Sequence, residues 1–408
     1  MGYDVIIIGG GIIGVSVAYH LQEKDPKQSV LLIEQNKRIG LGNTAKSAAL
    51  YRNIFSSETS RQLASSSISF YETIANKIAL QPLGYFWMFS ENDWKKMKKI
   101  FSLIDKKQYQ IKTFSIEKTP LDLKINTSGS KMFKAIDYVL HGFQCGALSA
   151  TKLARFYASE FQRNGGEIVF NTKITTLELS NKKHHYPPWR KLFLEKIIAS
   201  DGRSFSAEKY IFATGAWMNE LLLPVGIAPH VYPKKRQLFA LKIKAKDELI
   251  TSATTEIPIL IFPTGGLYLK PVLPKDMLLI GLADDLGNPY KMAKEYPPSS
   301  SKKYFDHVIK PVLHHYFPDL RSYTLFSHWA GYYSYHWPDY NPVIEQKANI
   351  VWVSGTSGSG IMKADAIGRI VAAKIMQKKT VELFDGSLFS VRDLSLIHRK
   401  VVKEDFII

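Results

Sequence analysis

The chain has 408 residues, 45% of them hydrophobic, with 26 glycines, 19 prolines and a formal net charge of +18. That length builds two or three domains with ample core, and the composition excludes a disordered, collagenous or fibrous protein. One cysteine, Cys145, excludes an intrachain disulfide and a cysteine-based zinc site, and it reads as a small buried hydrophobe.

No apolar run approaches the ~20 residues that span a bilayer. The first, Val5–Ile8, is short and lacks a basic leader, so no secretory signal is expected, and Ile6 stands where a myristoylation motif needs Ser or Thr. The expected location is the cytoplasm, with membrane contact peripheral at most. A charge of +18 would attract nucleic acid, anionic lipid or anionic substrates. The lysines are scattered, however, and read more simply as a solvated surface, so nucleic acid is not expected as a partner. The densest basic stretch, 182–191, includes His184, His185, Tyr186 and Trp189 around Pro187 and Pro188, and reads as a surface loop in a hairpin.

In chain order, 3–8 predicts a buried parallel strand, and a helix follows the glycines to about Glu23. Residues 29–33 predict a second buried strand, completing a βαβ opening. A Gly/Asn/Ser-rich turn covers 40–47, a long helix 57–80, charged helices such as 91–99 the mixed region to 140, and a helix 151–164. Residues 167–179 alternate like a strand pair, and 209–214 is a buried strand. Antiparallel strands are expected at 237–243, 257–262, 267–271 and 277–282, then a polar loop at 286–302, a buried strand at 350–354 and a helix at 361–377. This is an α/β chain. A Rossmann-like dinucleotide domain takes 1–80, 141–228 and 325–408, and an inserted, largely antiparallel α+β substrate domain takes 81–140 and 229–324.

Gly9-Gly10-Gly11-Ile12-Ile13-Gly14 matches G-x-G-x-x-G between a strand and a helix, the context that the motif requires. Gly9 makes the turn, Gly11 lets the backbone approach a pyrophosphate, and Gly14 lets helix and strand pack closely. Ile12 and Ile13 open the helix, whose free N–H groups and dipole favour phosphate. Glu34, with Gln35 beside it, stands where a carboxylate accepts from a ribose diol and repels a 2′-phosphate, which argues against NADP. The motif does not choose between NAD and FAD. A second glycine turn, 355–360, opens another helix, and bare N–H groups there suit a flavin ring whose pyrimidine side becomes anionic on reduction. No His/Asp/Glu cluster has metal-ligand spacing, so no catalytic metal is expected.

Four segments in order resemble the D-amino-acid oxidase superfamily of FAD enzymes, which includes glycine and sarcosine oxidases and amino-acid dehydrogenases. They are Gly42-Asn43-Thr44-Ala45-Lys46-Ser47-Ala48-Ala49-Leu50-Tyr51-Arg52, Ala213-Thr214-Gly215-Ala216-Trp217, Trp329-Ala330-Gly331 through Pro342, and Gly358-Ser359-Gly360-Ile361. Pro233–Arg236 and Gly355–Arg369, with Met362, Lys363 and Asp365, look most like archaeal dye-linked L-proline dehydrogenases. The resemblance implies non-covalent FAD, since the covalent-flavin cysteine of monomeric sarcosine oxidases falls near Gly331. It implies flavin contacts from Asn43, Thr44, Ala45, Ser47 and Ala48, an adenine contact from Ile174, further contacts from Thr214, Gly215, Trp217 and Gly331, and a cap on the pyrimidine edge from Gly358, Ser359, Gly360, Ile361 and Met362.

It also implies that Arg52 binds a substrate carboxylate, because no arginine follows Gly331 as it does in glycine and D-amino-acid oxidases. Arg52 is otherwise a surface or flavin-phosphate arginine. Lys363 either assists Arg52 or points to solvent, and Tyr333, ahead of Tyr332, Tyr335 or His336, either walls the substrate pocket or packs in the core. The lysine that sarcosine oxidases carry on a strand matched to 277–281 is replaced by Leu279, which favours a dehydrogenase. The expected activity is FAD-dependent oxidation of a small amine or amino acid, L-proline first, by hydride transfer to the flavin, with a quinone or dye-type acceptor. A dioxygen-using amine oxidase, a flavin-dependent RNA-modifying enzyme and a non-catalytic flavin-binding subunit are the alternatives.

Overall fold

The computed structural model describes residues 2–120, 123–180, 193–244, 249, 257–272, 276–283 and 297–406. The basic stretch 182–191 and most of the expected polar loop 286–302 lie outside the described residues.

The chain opens with β1 (Tyr3–Ile8), α1 (Ile12–Lys24) and β2 (Val30–Ile33). Later come α2 (Glu58–Thr73), α3 (Ala150–Arg163), β3 (Ala207–Phe212), β4 (Ile350–Ser354) and α4 (Gly360–Ile375). β4, β3, β1 and β2 run parallel side by side, with Glu167–Val169 on the far edge and Val343–Lys347 antiparallel on the near one. Because side chains alternate across a strand, β1 splits between two cores. Val5 and Ile7 pack with α1, α2, α3 and α4, while Ile6 and Ile8 pack with Ile174, Leu194, Ile197, Met218 and Leu222 on the other face. A sheet covered on both faces needs such a continuous apolar strand, which is why the β1 pattern is legible locally.

The second sheet has eight strands in the spatial order Tyr323–Tyr335, Tyr232–Ile243, Met277–Leu282, Leu267–Val272, Ile259–Ile261, Tyr85–Phe89, Tyr138–Gly142 and Ile111–Ser115. It is antiparallel except where Ile259–Ile261 runs parallel to Tyr85–Phe89. Tyr323–Tyr335 pairs with Tyr232–Ile243 along its whole length. The second sheet therefore extends past residue 325, into the stretch that the sequence division assigns to the dinucleotide unit.

Two expected elements differ. The helix expected over 57–80 stops at Thr73 and resumes as Ala75–Ile78. Ile74 leaves helical geometry (φ −117°, ψ 21°), and the Thr73 hydroxyl donates back to the Phe70 carbonyl at 2.7 Å; β-branched neighbours tolerate the break. The expected strand pair at 167–179 is no hairpin. Glu167–Val169 edges the parallel sheet, and Ile174–Leu179 turns into a separate three-stranded sheet with Leu194–Ala199 and Ser204–Phe205.

Candidate active site

The Gly9 backbone has φ +108°, and a Cβ on Gly14 would lie 1.9 Å from the Gly9 carbonyl oxygen. Gly11 has no side chain with which to cap α1, so amides at this end are left to a ligand. Two neighbouring donors are already used: Ile12 N–H donates to the Thr44 hydroxyl (3.0 Å) and Gly10 N–H to Glu34 (2.7 Å). Glu34 also accepts from Asn36 N–H at 2.9 Å, which aims the carboxylate along the rim of the turn. Gly14→Ala should yield protein purified with little flavin, read from the flavin-to-protein absorbance ratio, because the methyl must push the strand and α1 apart.

Gly9, Gly11, Ile12, Ile13, Glu34 and Gln35 line an elongated cleft with about 1460 Å³ of space between atoms, open to solvent. Asn43, Thr44, Ser47, Ile174, Thr214, Gly215 and Trp217 continue its walls. Tyr333, Gly358, Gly360 and Ile361 close its far end. The Thr214 hydroxyl is buried and has no hydrogen-bond partner among the described residues. The far end is a second helix terminus without a side-chain cap, at Ser359. It is tied down from the neighbouring strand: Gly355 N–H donates to the Ser334 hydroxyl (3.2 Å), and Ser357 N–H to the Ser334 carbonyl (2.8 Å). The Asn43 turn is fastened to the same strand, where Tyr332 N–H donates to Asn43 Oδ1 (2.9 Å) and Trp329 Nε1 to the Lys46 carbonyl (2.9 Å).

A cleft with one helix start at one end, a buried carboxylate beside it and a second helix start at the other, neither capped by its own N-cap side chain, fits FAD. The family model for FAD-dependent oxidoreductases (DAO) matches residues 4–374. This chain belongs to that family. FAD is its cofactor, held non-covalently; the first turn would serve its pyrophosphate, Glu34 its adenosine ribose and the 358–361 turn its flavin ring. The chain is 24% identical to FAD-dependent oxidoreductase domain-containing protein 1 of Xenopus laevis, over 95% of this chain and 82% of the relative. It is 22% identical to human mitochondrial dimethylglycine dehydrogenase, over 91% of this chain and 42% of that longer protein. Its fold is shared with L-proline dehydrogenase from P. horikoshii (TM-score 0.76, 20% identity, 92% of this chain and 94% of that one). Glycine oxidase from Geobacillus kaustophilus gives a TM-score of 0.75 at 19% identity, covering 98% and 99% of the two chains.

Beyond Tyr333, Ser47 and Gly358, which face both spaces, lies a smaller cavity lined by Ala48, Leu50, Arg52, Phe55, Tyr85, Tyr268, Tyr340, Ser359, Met362, Glu404 and Phe406. Arg52 is 4% exposed, so it is not a surface arginine. Its guanidinium donates to the Ile54 carbonyl through Nη1 and to the Phe406 carbonyl (2.5 Å) through Nη2, and it stacks on Phe55 at 4.0 Å. Burial lowers its pKa from the ordinary value, and Glu404, Tyr85, Cys145 and Tyr333 oppose that shift. The Tyr85 hydroxyl is buried without a hydrogen-bond partner among the described residues. Burial raises the Tyr333 phenol, so it is neutral and available as a donor, while Arg236 and Arg52 pull it the other way.

Several expected positions differ. Ala45 is exposed and lines neither space. Gly331 sits behind the Asn43 turn, where a Cβ would meet Lys46 at 3.2 Å and Asn43 at 3.4 Å. Gly14 is packed against Gly9 and Ala213 and does not face the cleft. Ala48, Ser359 and Met362 face the smaller cavity and not the cleft.

Lys363 points neither to solvent nor into the cavity. It is fully buried beneath Phe55 (4.4 Å), donates to the Ser60 hydroxyl at 2.8 Å, and acts on the site only through charge. Burial lowers its pKa to about 7, with Glu404 opposing and Arg52 assisting. The unfolded chain holds that proton up to the ordinary 10.5, so between about 7 and 10.5 the unfolded state binds more protons and stability rises with pH. Thermal melts across that range should show this rise in the wild type and lose it in Lys363→Met.

Leu279 does occupy the strand matched to the sarcosine oxidase lysine, but Lys270 stands opposite it on the adjacent strand. Lys270 is 9% exposed and donates to the Ala48 carbonyl at 2.7 Å, and burial lowers its pKa to about 8. Lys270 itself lines neither the cleft nor the smaller cavity.

Proposed function

We propose that the protein oxidises a small α-amino acid, with L-proline the first substrate to test, and passes the electrons to a quinone or dye-type acceptor. The observation that carries this reading is a buried arginine inside a small aromatic cavity that abuts the flavin end of the cleft. The solved relatives named L-proline dehydrogenase and glycine oxidase, and the relative named dimethylglycine dehydrogenase, act on carbon–nitrogen bonds of this class. Bound FAD supplies the acceptor for a hydride leaving the carbon next to nitrogen. The residues of the chain bind, orient and keep out water. Arg52 takes the carboxylate through donors not used by Ile54 and Phe406. Tyr333 and Gly358 form the wall between cavity and cleft, so the substrate carbon faces the flavin there. The amine must arrive neutral so that its nitrogen lone pair forms the C=N bond as the hydride departs.

Anaerobic addition of a panel of amines and amino acids tests this: proline or another small amino acid should bleach the flavin absorbance. If no amino acid bleaches it while amines without a carboxylate do, the reading fails.

Lys270 favours a second reading, an oxidase that uses dioxygen. Its ammonium, held on the Ala48 carbonyl at 2.7 Å, would supply the charge that stabilises superoxide-like anions in a dry site. Reduced protein should then be reoxidised quickly in air with release of hydrogen peroxide. Lys270→Met should slow that reoxidation while leaving anaerobic bleaching intact; equal rates in both proteins would return the acceptor to a quinone or dye.

A further inference from the structure

Residues 399–406 lie beyond the stretch matched by the family model, which ends at 374, yet two of them, Glu404 and Phe406, line the smaller cavity. Arg399 fixes the start of this segment: its Nε and Nη2 donate to both Asp339 carboxylate oxygens at 2.5 and 2.7 Å. Glu404 fixes the middle. It is 2% exposed, and its carboxylate accepts from Ser56 N–H (2.9 Å), the Ser56 hydroxyl (2.9 Å) and Ser57 N–H (3.0 Å) ahead of α2. Each of its oxygens accepts from the Ser56–Ser57 turn, which makes Glu404 a clamp on this segment. The clamp lays Phe406 against Trp87, with ring centroids 3.6 Å apart, and brings its carbonyl onto Arg52.

We infer that Phe406, held by the Glu404 clamp, is the residue that determines substrate size, closing the cavity behind Arg52 so that only a short carboxylate-bearing molecule fits. The inference rests on Arg52 being the carboxylate anchor. The wall is rigid, because Phe406 is 4% exposed and its ring meets Trp87, Phe89 and Phe101. A rigid apolar wall rejects added carbons by steric exclusion, and one methylene in such a pocket changes discrimination by about 10-fold or more. A change of wall should therefore act on the ratio between large and small ligands and not on both alike.

The test titrates acetate and benzoate into FAD-loaded protein and reads each Kd from the change in the flavin spectrum. Wild type should bind acetate in preference to benzoate, and Phe406→Ala should shift that preference towards benzoate by about 10-fold or more. An unchanged ratio overturns the inference. Should Phe406→Ala lose its flavin, Phe406→Leu keeps an apolar anchor and should shift the ratio in the same direction; no shift there overturns the inference equally, as does loss of flavin from both. Arg52→Ala separates the two readings. It should abolish both spectral changes, and if acetate binds it as in wild type, the anchor reading fails while the wall is still judged by the Phe406 ratio. No spectral change with either acid in wild type overturns both.

Discussion

Arg52→Ala is expected to lower kcat/KM for an amino-acid substrate by roughly 100- to 1000-fold or more, the consequence of leaving a buried carboxylate without its partner at a cost of about 3–5 kcal/mol. The guanidinium sits between Phe55 at 4.0 Å and Trp87 at 5.2 Å, so water does not screen it. The loss should appear in both KM and kcat: the anchor binds the ground state, and it also sets where the reacting carbon lies against the flavin. Arg52→Lys tells charge from geometry. It keeps a cation but has no planar fork to hold Ile54 O, Phe406 O and a carboxylate together, so it should recover only part of the loss. An amine without a carboxylate should be affected far less by either change. If Arg52→Ala oxidises proline as wild type does, the anchor assignment is wrong.

What the sequence disclosed about this site follows how local each constraint is. The Gly9–Gly14 turn, Glu34 and the 355–360 turn are short-range devices, in which a φ of +108° at Gly9 and an excluded Cβ at Gly14 dictate residue type over six positions. The long buried strands are legible for the same reason, since each must be apolar on both faces. The rest depends on partners far along the chain. Thr44 caps an amide 32 residues away, and Phe406 reaches Arg52 across 354 residues. Lys270 meets the Ala48 carbonyl from a strand whose register sets it opposite Leu279, which no single-strand pattern contains. Lys363 was legible as a misfit, a cation where the dipole of α4 disfavours one, but whether it faced solvent or the interior was decided by Phe55 and Ser60 on other elements. Tyr85 and Tyr268 are two of many aromatics in apolar strands, and only the assembly of the second sheet sets them beside Arg52.

Asp365→Asn is expected to destabilise the protein by about 3–5 kcal/mol in denaturant unfolding and to weaken flavin retention with it. Asp365 is fully buried in α4 and binds His20 of α1 at 2.8 Å through one oxygen and Arg369 at 2.8 Å through the other. Burial works against the carboxylate, but His20 and Arg369 outweigh it and hold its pKa below the ordinary 3.8. Burial also works against a charged His20, and Asp365 and Glu23 outweigh it, so the imidazole is raised above 6.5. Asn keeps the shape and removes the charge, leaving buried His20 with only the half-exposed Glu23 at 3.4 Å and Arg369 without its carboxylate.

The pH profile identifies the mechanism. The contribution of Asp365 is present above 3.8 and is lost as pH falls through its lower folded value, whereas that of His20 is complete below 6.5 and is lost as pH rises through its higher one. The wild-type advantage over Asp365→Asn should therefore be widest between those two values and shrink on both sides. A variant that trades the pair for apolar residues, His20→Phe with Asp365→Leu, should regain much of the loss, since paired buried charges repay little beyond their own desolvation. The flavin enters because α1 and α4 each present an uncapped N-terminus to the cleft, and this ion pair locks the two helices together. A loosened pair of helices moves both ends of the cofactor site at once, so the flavin should be lost over the same pH range in which the stability advantage is lost; a variant that is destabilised yet keeps its flavin fully would show that the helix ends are held by the sheet alone.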